Sequence, residues 1–365
     1  MGGIETGTRH LRKDEMNERD DHADPAIRTN GLTKRYHSHD ETVVAVDALD
    51  LTVERGEVFG FLGPNGAGKS TTIDMLLDYS RPTAGSATVL GLDPRRDTER
   101  LRCRIGVLPE GFGLYERLTG RRHLEFAVAW SGADDDPAEL LERVGLDDRD
   151  ADRAVGEYSK GMSQRLALGM ALVGEPDLLI LDEPSSGLDP HGIRLMRDIV
   201  RDEAGRGATV FFSSHILGQV EAVCDRVGIL DDGELVAVDT VEGLRNAVGS
   251  RTELRLRLSE MNDGSAVERA DVSAVDGVSS VRDEGGILRV TCSDAAAKAT
   301  VVTRLTTAGV AILDIDSERA SLEDVFTVYT TGEGMLERTR QIDRSDDEST
   351  GDQRSSIVDE PEGIV

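Results

Sequence analysis

The segment Gly63-Pro64-Asn65-Gly66-Ala67-Gly68-Lys69-Ser70 lies directly after the apolar run "EVFGFL" and directly before the helical run "TTIDMLL". No other stretch restricts the fold as tightly, because a glycine-rich turn ending in Lys-Ser between a strand and a helix is the phosphate-loop pattern. Its glycines let the backbone wrap phosphate oxygens with N–H groups turned inward, and the helix that follows adds its positive end. In this pattern Lys69 reaches the β- and γ-phosphates of a nucleotide, Ser70 ligates magnesium, and Gly63 to Thr71 form the cradle. Lysine is otherwise nearly abandoned, with only Lys13, Lys34, Lys69, Lys160 and Lys298 among 42 basic residues. Its retention at position 69 favours a function over an accidental Gly-rich turn.

Seventy acidic against 42 basic residues give a formal charge of −28. That balance argues against nucleic-acid binding, since phosphate contacts need clustered Lys and Arg. An acid-rich, lysine-poor surface is expected of a protein kept soluble in concentrated salt, where screening removes most of the self-repulsion. The source is accordingly read as a halophile of the haloarchaeal kind. Cys103, Cys224 and Cys292 are scattered, odd in number and without CxxC spacing, so neither a disulfide framework nor a thiolate metal site is indicated, and a reducing cytoplasm fits. The N-terminus has no apolar leader, and no stretch approaches the roughly 18 apolar residues needed to span a bilayer. A membrane role is therefore expected through a partner.

Between Ile27 and about Asp239, short apolar runs alternate with helical patterns: "GEVFGFLG", "RIGVLPE", "PDLLILDEP", "GATVFFSSH" and "RVGILDDGELVAV" read as strands. Such alternation implies an α/β domain built on a largely parallel sheet. Beyond it, "TELRLRLS" alternates Leu254, Leu256 and Leu258 with arginines, and "GVSSVRD", "GILRVTC" and "VAILDID" are further strands. "SAVERADVS" is one helix candidate, and "DAAAKATVVTRLTTAG" is another with Ala297, Val301 and Leu305 on one face. The order strand, helix, strand, strand, helix, strand suggests a small α+β, ferredoxin-like sandwich. The expected boundaries are a charged tail over 1–24, an α/β domain over 25–245 with a helical insert at about 111–157, an α+β domain over 250–332, and an acidic tail over 333–365. Both tails are expected to be disordered.

The apolar strand "PDLLILDEP" ends in Asp182 and Glu183. Acidic residues also end strands without doing chemistry, but beside a phosphate loop Asp182 is placed to hold magnesium. Glu183 is then placed to orient and activate water for in-line attack on the γ-phosphate. These motifs define a P-loop NTPase without saying which kind.

"EYSKGMSQRLALGMAL" discriminates between kinds. Tyr158-Ser159-Lys160-Gly161-Met162 stands where the ABC (ATP-binding cassette) superfamily usually has Leu-Ser-Gly-Gly-Gln, followed by Ser163-Gln164-Arg165-Leu166, and it lies between the two nucleotide motifs. Over roughly residues 27–240 the chain thus resembles ABC cassettes. A serine hydroxyl and a glycine N–H at a helix start make an anion site. The resemblance implies that Ser159 and Gly161 offer it to ATP bound on another cassette, although the segment alone reads more readily as an ordinary Ser-capped helix. By the same resemblance, Tyr36 in "LTKRY" stacks on adenine, where it is otherwise a surface tyrosine. Glu110 in "GVLPEG" occupies the Q-loop position, where glutamine is usual, and can touch magnesium-bound water. Asp189 in "SSGLDP" becomes a D-loop contact across the cassette interface, and His215 in "FFSSHIL" the switch histidine on the γ-phosphate. His37 and His39 lie in a polar loop without further ligands and read as solvent-exposed.

The C-terminal unit, closing in "SLEDVFTVYTTG", looks like the tail domain of single-cassette ATPases that serve drug, antibiotic, sodium or polymer exporters; Leu322, Val325 and Phe326 also make an ordinary amphipathic helix. The resemblance implies ATP hydrolysis with ATP and Mg2+ as cofactors. Because the chain has one phosphate loop and one signature, it also implies a homodimer or paired cassette. An integral-membrane permease is the implied partner, contacted through the insert around "LTGRRHLEFAVAW", which places the protein on the cytoplasmic face of the membrane. ABC ATPases that serve no transporter form the competing class. Repair members insert long coiled coils between phosphate loop and signature, whereas here Lys69 and Ser159 are 90 positions apart without sustained heptads. Translation factors carry two cassettes per chain, and a sensor role for the C-terminal unit lacks a binding motif.

Overall fold

Strands covered on both faces read as unbroken apolar runs, and the computed structural model of the chain is built around such runs. It describes residues 24–37, 42–247, 252–259, 270–293, 295–319 and 326. The expected tails, the loop with His39 and all of "SLEDVF" except Phe326 lie outside the described residues. Contacts divide the chain into one unit of residues 1–215 with 232–234 and another of 216–231 with 235–365.

In the first unit the elements run β1 (Ile27–His37), β2 (Thr42–Leu49), β3 (Thr52–Val53), β4 (Val58–Leu62), α1 (Lys69–Leu76), β5 (Ala84–Val89), α2 (Thr98–Arg102) and β6 (Ile105–Leu108). They continue with α3 (Gly120–Ser131), α4 (Pro137–Arg143), α5 (Asp148–Ala151), α6 (Lys160–Ala171), β7 (Leu178–Asp182), α7 (Pro190–Gly205) and β8 (Thr209–Ser214). Strands β4, β8, β7 and β6 lie side by side in that order, all parallel. Every residue of β4, β7 and β8 is buried. Phe59 stacks on Phe211 at 5.9 Å between centroids, and Phe61 packs against the same ring at 5.3 Å.

A second, antiparallel sheet forms where β1 pairs with β2, β3 and β5. Sequence reading did not foresee it, because "IRTNGLTKRYH" is polar and β1 is irregular, with register shifts against both β2 and β5. Polar residues are accommodated there by pairing: Thr29 donates to Leu49 O at 2.7 Å and accepts from Leu51 N at 2.8 Å.

The insert helices start where the chain supplies a cap. Thr119, Asp136, Asp147 and Ser159 each accept a hydrogen bond from the first turn of α3, α4, α5 and α6, and Pro137 opens α4. An ion network ties this insert to the sheet layer. Glu203 of α7, 1% exposed, accepts from Arg143 of α4 at 2.7 Å and from Arg206 Nε at 2.7 Å.

The second unit holds α8 (Leu217–Val220), β9 (Arg226–Asp231), β10 (Glu234–Thr240), α9 (Val241–Ala247), β11 (Thr252–Leu258), β12 (Val278–Asp283), β13 (Ile287–Cys292), α10 (Ala295–Thr307) and β14 (Ile312–Arg319). The run "RVGILDDGELVAV" is not one strand but two. Asp232 and Gly233 both have positive φ, 45° and 84°, the Asp-Gly chemistry of a tight hairpin turn. The last four strands form an antiparallel sheet in the order β12-β13-β11-β14. One face of it carries Leu254, Leu256, Leu258, Leu288 and Val290 against Ala297, Val301 and Leu305 of α10. Those three helix residues are the ones the spacing places on one face. Of the other helix candidate, only Ala270 to Ser273 is described, and Val272–Ala274 there forms a short 3-10 turn.

Replacing Glu203 by Ala removes the acceptor for two arginines that are themselves partly solvated. The expected cost is about 2 kcal/mol, below the figure for a fully buried pair. Chemical denaturation in high-salt buffer measures it, and a loss under about 0.5 kcal/mol, the ordinary surface range, would show that the network does not brace α4.

Candidate functional site

The parallel strands set their carboxyl ends side by side: Leu62 is in register with Ser214, Asp182 with Ser213, and Leu108 with Leu181. In an open parallel sheet this edge is where ligands bind. The residues that follow it are the glycine-rich loop after β4, Glu110 after β6, Glu183 after β7 and His215 after β8.

Within the loop, Pro64, Asn65 and Gly66 are exposed, while Ala67, Gly68 and Lys69 are buried. Gly68 has φ 106°, and a Cβ there would stand 2.3 Å from the Ala45 carbonyl oxygen of β2, so no other residue fits. The loop is braced from outside, where Gly233 at the β9–β10 turn donates to Ala67 O at 3.0 Å and accepts from Asp47 N at 2.9 Å. Helix α1 has no side-chain cap, unlike α3, α4, α6 and α7. Its leading N–H groups are thus left to an anion. Ser70 and Thr71 are half-buried in its first turn. The Lys69 ammonium donates to Gly63 O at 2.8 Å and Pro64 O at 3.1 Å, and stands 3.7 Å from Glu183 Oε1.

Glu183 is 7% exposed and has φ 48°, a left-handed conformation that a non-glycine residue adopts at a cost of about 1–3 kcal/mol. Its N–H donates to Ser213 Oγ at 3.1 Å, and the Ser213 hydroxyl donates to Asp182 Oδ1. His215 Nδ1 is 2.9 Å from Glu183 Oε2, and since a carboxylate only accepts, that nitrogen carries the proton. Oε1 of Glu183 is buried without a hydrogen-bond partner among the described residues. A buried carboxylate oxygen left so is costly unless something donates to it. Asp74, on α1 four residues beyond Ser70, has its carboxyl raised above the ordinary value, first by burial and then by the charge of Asp182.

The structure thus joins Lys69, Asp182, Glu183 and His215 around the loop. Other expected residues lie outside this bonded cluster. Tyr36 stands opposite Val43 on the β1–β2 pair that also carries Ala45; its ring is exposed, with the Lys34 ammonium 4.9 Å from its centre. Glu110 is exposed and makes no hydrogen bond or ion pair among the described residues. Ser159 caps its own helix, accepting from Met162 N at 3.2 Å, and Asp189 caps α7, accepting from Gly192 N at 2.7 Å. A Cβ on Gly161 would approach Gly187 O to 3.0 Å. Exposed His37 bonds Thr42 at 2.9 Å.

Sequence reasoning gave no role to Ser213, nor to two ties between α6 and the segment after Glu183. Lys160 Nζ donates to Ser186 Oγ at 2.9 Å, and buried Gln164 donates to Pro184 O at 3.0 Å. The one available signal was a hydroxyl residue inside the apolar run of β8. The insert also presents an aromatic surface. Trp130 is 84% exposed and stacks on exposed Phe126, and Trp130 borders a cavity of about 240 Å³ lined by Leu76, Tyr79, Leu101 and Ile105.

The ABC transporter family model matches residues 46–186, and that of the ATP-binding protein DrrA1-3-like C-terminal domain matches 240–330. A fluoroquinolones export ATP-binding protein of Mycobacterium tuberculosis is 44% identical over 246 residues, covering 67% of this chain and 80% of that one. This chain belongs to the ABC transporter ATP-binding proteins. The daunorubicin/doxorubicin resistance ATP-binding protein of Streptomyces peucetius is 37% identical to this ABC protein over 84% of it and 92% of the relative. A solved ATP-binding subunit of an ABC transporter superposes with a TM-score of 0.55 at 31% identity, covering 60% of this chain and 92% of that one. A dimeric ATP-binding cassette bound to ADP and phosphate shares the fold, with a TM-score of 0.53 at 24% identity over 59% and 98%. The chain is accordingly an ABC-type ATPase, and the cluster is its candidate active site.

Gly68→Ala tests the cradle. The left-handed φ and the Ala45 carbonyl together cost the loop its shape, so ATP affinity is expected to fall at least about tenfold. Binding of a fluorescent ATP analogue reads this directly, and unchanged affinity would mean that the loop does not hold the nucleotide.

Proposed function

We propose that this ABC ATPase is the ATP-hydrolysing subunit of an exporter, powering a separately encoded membrane permease through ATP-driven dimerisation of two cassettes. The observation that carries the hydrolytic reading is Oε1 of Glu183, buried and without a hydrogen bond among the described residues, set between the Lys69 ammonium and a carboxylate arm held by His215.

Gly63 to Thr71 hold the phosphates, with Lys69 neutralising the β- and γ-groups, and Tyr36 stacks on adenine. Glu183 Oε1 orients the attacking water and takes its proton, while the His215 hydrogen bond on Oε2 stops the carboxylate from turning. The donor set fits a divalent cation: half-buried Ser70 and buried Asp182 flank the loop, with Glu110 on the same sheet edge. A magnesium ion held by these residues would supply positive charge against the phosphate oxygens.

Ser159, Gly161 and Asp189 belong to a second nucleotide. Ser159 and Asp189 are exposed at starts of α6 and α7, and the same α6 is tied to the Glu183 strand end by Gln164 and Lys160. A homodimer or paired cassette completes each site, and closure is driven by the higher affinity of the closed form for ATP. The aromatic face of the insert, Phe126 and Trp130, is the surface for the integral-membrane permease, since contiguous exposed apolar side chains mark contact sites. No helix among the described residues is long and apolar enough to cross a membrane, which fits a cytoplasmic, peripheral location through that permease. The export direction follows the names of the relatives. We assign the cassette to 25–245 and the tail domain to 250–332, and read the acidic, lysine-poor composition as haloarchaeal.

Lys69→Ala is expected to abolish magnesium-dependent ATP hydrolysis in high-salt buffer, and undiminished turnover would show that the loop has another role. Glu183→Gln is expected to bind ATP and run as a dimer on a sizing column, whereas a monomer with ATP bound would contradict the two-cassette mechanism.

A further inference from the structure

Ser213 is fully buried near the end of β8, in register with Asp182 on one side and Phe61 on the other. A hydroxyl in a strand covered on both faces is a cost unless its bonding capacity is used. Here it is used twice. The single proton goes to Asp182 Oδ1, and a lone pair receives the N–H of Glu183 at 3.1 Å. One oxygen therefore holds both acidic residues, Asp182 through its side chain and Glu183 through its backbone.

The backbone bond matters because Glu183 has φ 48°. The β7–β8 register ends at Asp182 and Ser213, so the Glu183 N–H has left the sheet ladder and has Ser213 Oγ as its acceptor. Without that acceptor the strained peptide has a buried donor unsatisfied and no reason to keep its angle. Two residues further on, His215 holds Glu183 Oε2. The end of β8 thus grips Glu183 at its backbone and at one carboxylate oxygen, which leaves the direction of Oε1 determined.

We propose that Ser213 is a positioning residue for ATP hydrolysis, its hydroxyl fixing the Glu183 peptide and the Asp182 carboxylate while taking no part in nucleotide binding. This rests on the reading of Glu183 as the residue that activates water. The test uses the full-length chain in high-salt buffer with Ser213→Ala, Ser213→Cys and Ser213→Thr, measuring kcat, KM and binding of a fluorescent ATP analogue. In Ser213→Ala, kcat is expected to fall about tenfold to a hundredfold, as for a misplaced catalytic group, with KM and nucleotide affinity within about twofold. Ser213→Thr, which restores the hydroxyl, is expected to recover most of kcat. Wild-type kcat in Ser213→Ala, a kcat loss that only follows lost nucleotide binding, or a folded Thr variant no better than Ala would each overturn the proposal. If a thermal melt shows that Ser213→Ala does not fold, Ser213→Cys, with its weak thiol hydrogen bonds, carries the same split, and full kcat there overturns it. Absence of Lys69-dependent turnover in the wild type is a separate result, which removes the hydrolysis reading itself and the role of Ser213 with it.

Discussion

Glu183 is a buried carboxylate in a left-handed backbone conformation, and the carboxyl edge of the parallel sheet is organised around keeping it there. The conformation turns its side chain out of the β7 line toward Lys69, at 3.7 Å, and toward His215, at 2.9 Å. Each of those partners comes from a different strand end, so the geometry exists only while β4, β7 and β8 keep their register. The buried, largely apolar side chains of those strands hold the register: a one-residue slip would misplace Leu62, Asp182 and Ser214 together.

The same segment connects the chemistry to the rest of the cassette. Pro184, Ser186 and Gly187 follow Glu183 directly and receive Gln164, Lys160 and Gly161 from the first turns of α6. Helix α6 packs among the insert helices, and α4 of that insert is tied by Arg143 to Glu203 of α7. A displacement of the insert therefore has a short route, through packed side chains and hydrogen bonds, to the peptide that aims Glu183. That is the physical requirement for coupling ATP hydrolysis to a partner that touches the insert.

Much of this was legible in the sequence. Buried parallel strands announce themselves as uninterrupted apolar runs, and "PDLLILDEP" and "GATVFFSSH" became β7 and β8. The alternation of Leu254, Leu256 and Leu258 marked β11, and the four-residue spacing of Ala297, Val301 and Leu305 marked the buried face of α10. Of the residues singled out for the site, Lys69, Asp182, Glu183 and His215 come together at the strand ends because each follows or ends a strand of the parallel sheet. What escaped depends on tertiary pairing. The polar strand β1 is stabilised by partners on both sides and carries no periodic signal. The turn at Gly233 braces the phosphate loop from more than 160 positions away. Ser213 is one of three buried hydroxyl residues in β8, beside Thr209 and Ser214, and only its bonds to Asp182 and to the Glu183 peptide set it apart. Ser159 and Asp189, expected to meet a second cassette, each cap a helix in this chain.

The most direct measurement of a transport-coupled motor is to recover tagged Glu183→Gln protein with ATP from detergent-solubilised membranes of its host in high salt, alongside the same protein carrying Trp130→Glu. A multi-span membrane protein that accompanies the first and is lost from the second is the expected result. Recovery of soluble partners alone, or of a membrane protein held equally well without Trp130, would contradict an ATPase that drives its permease through the insert.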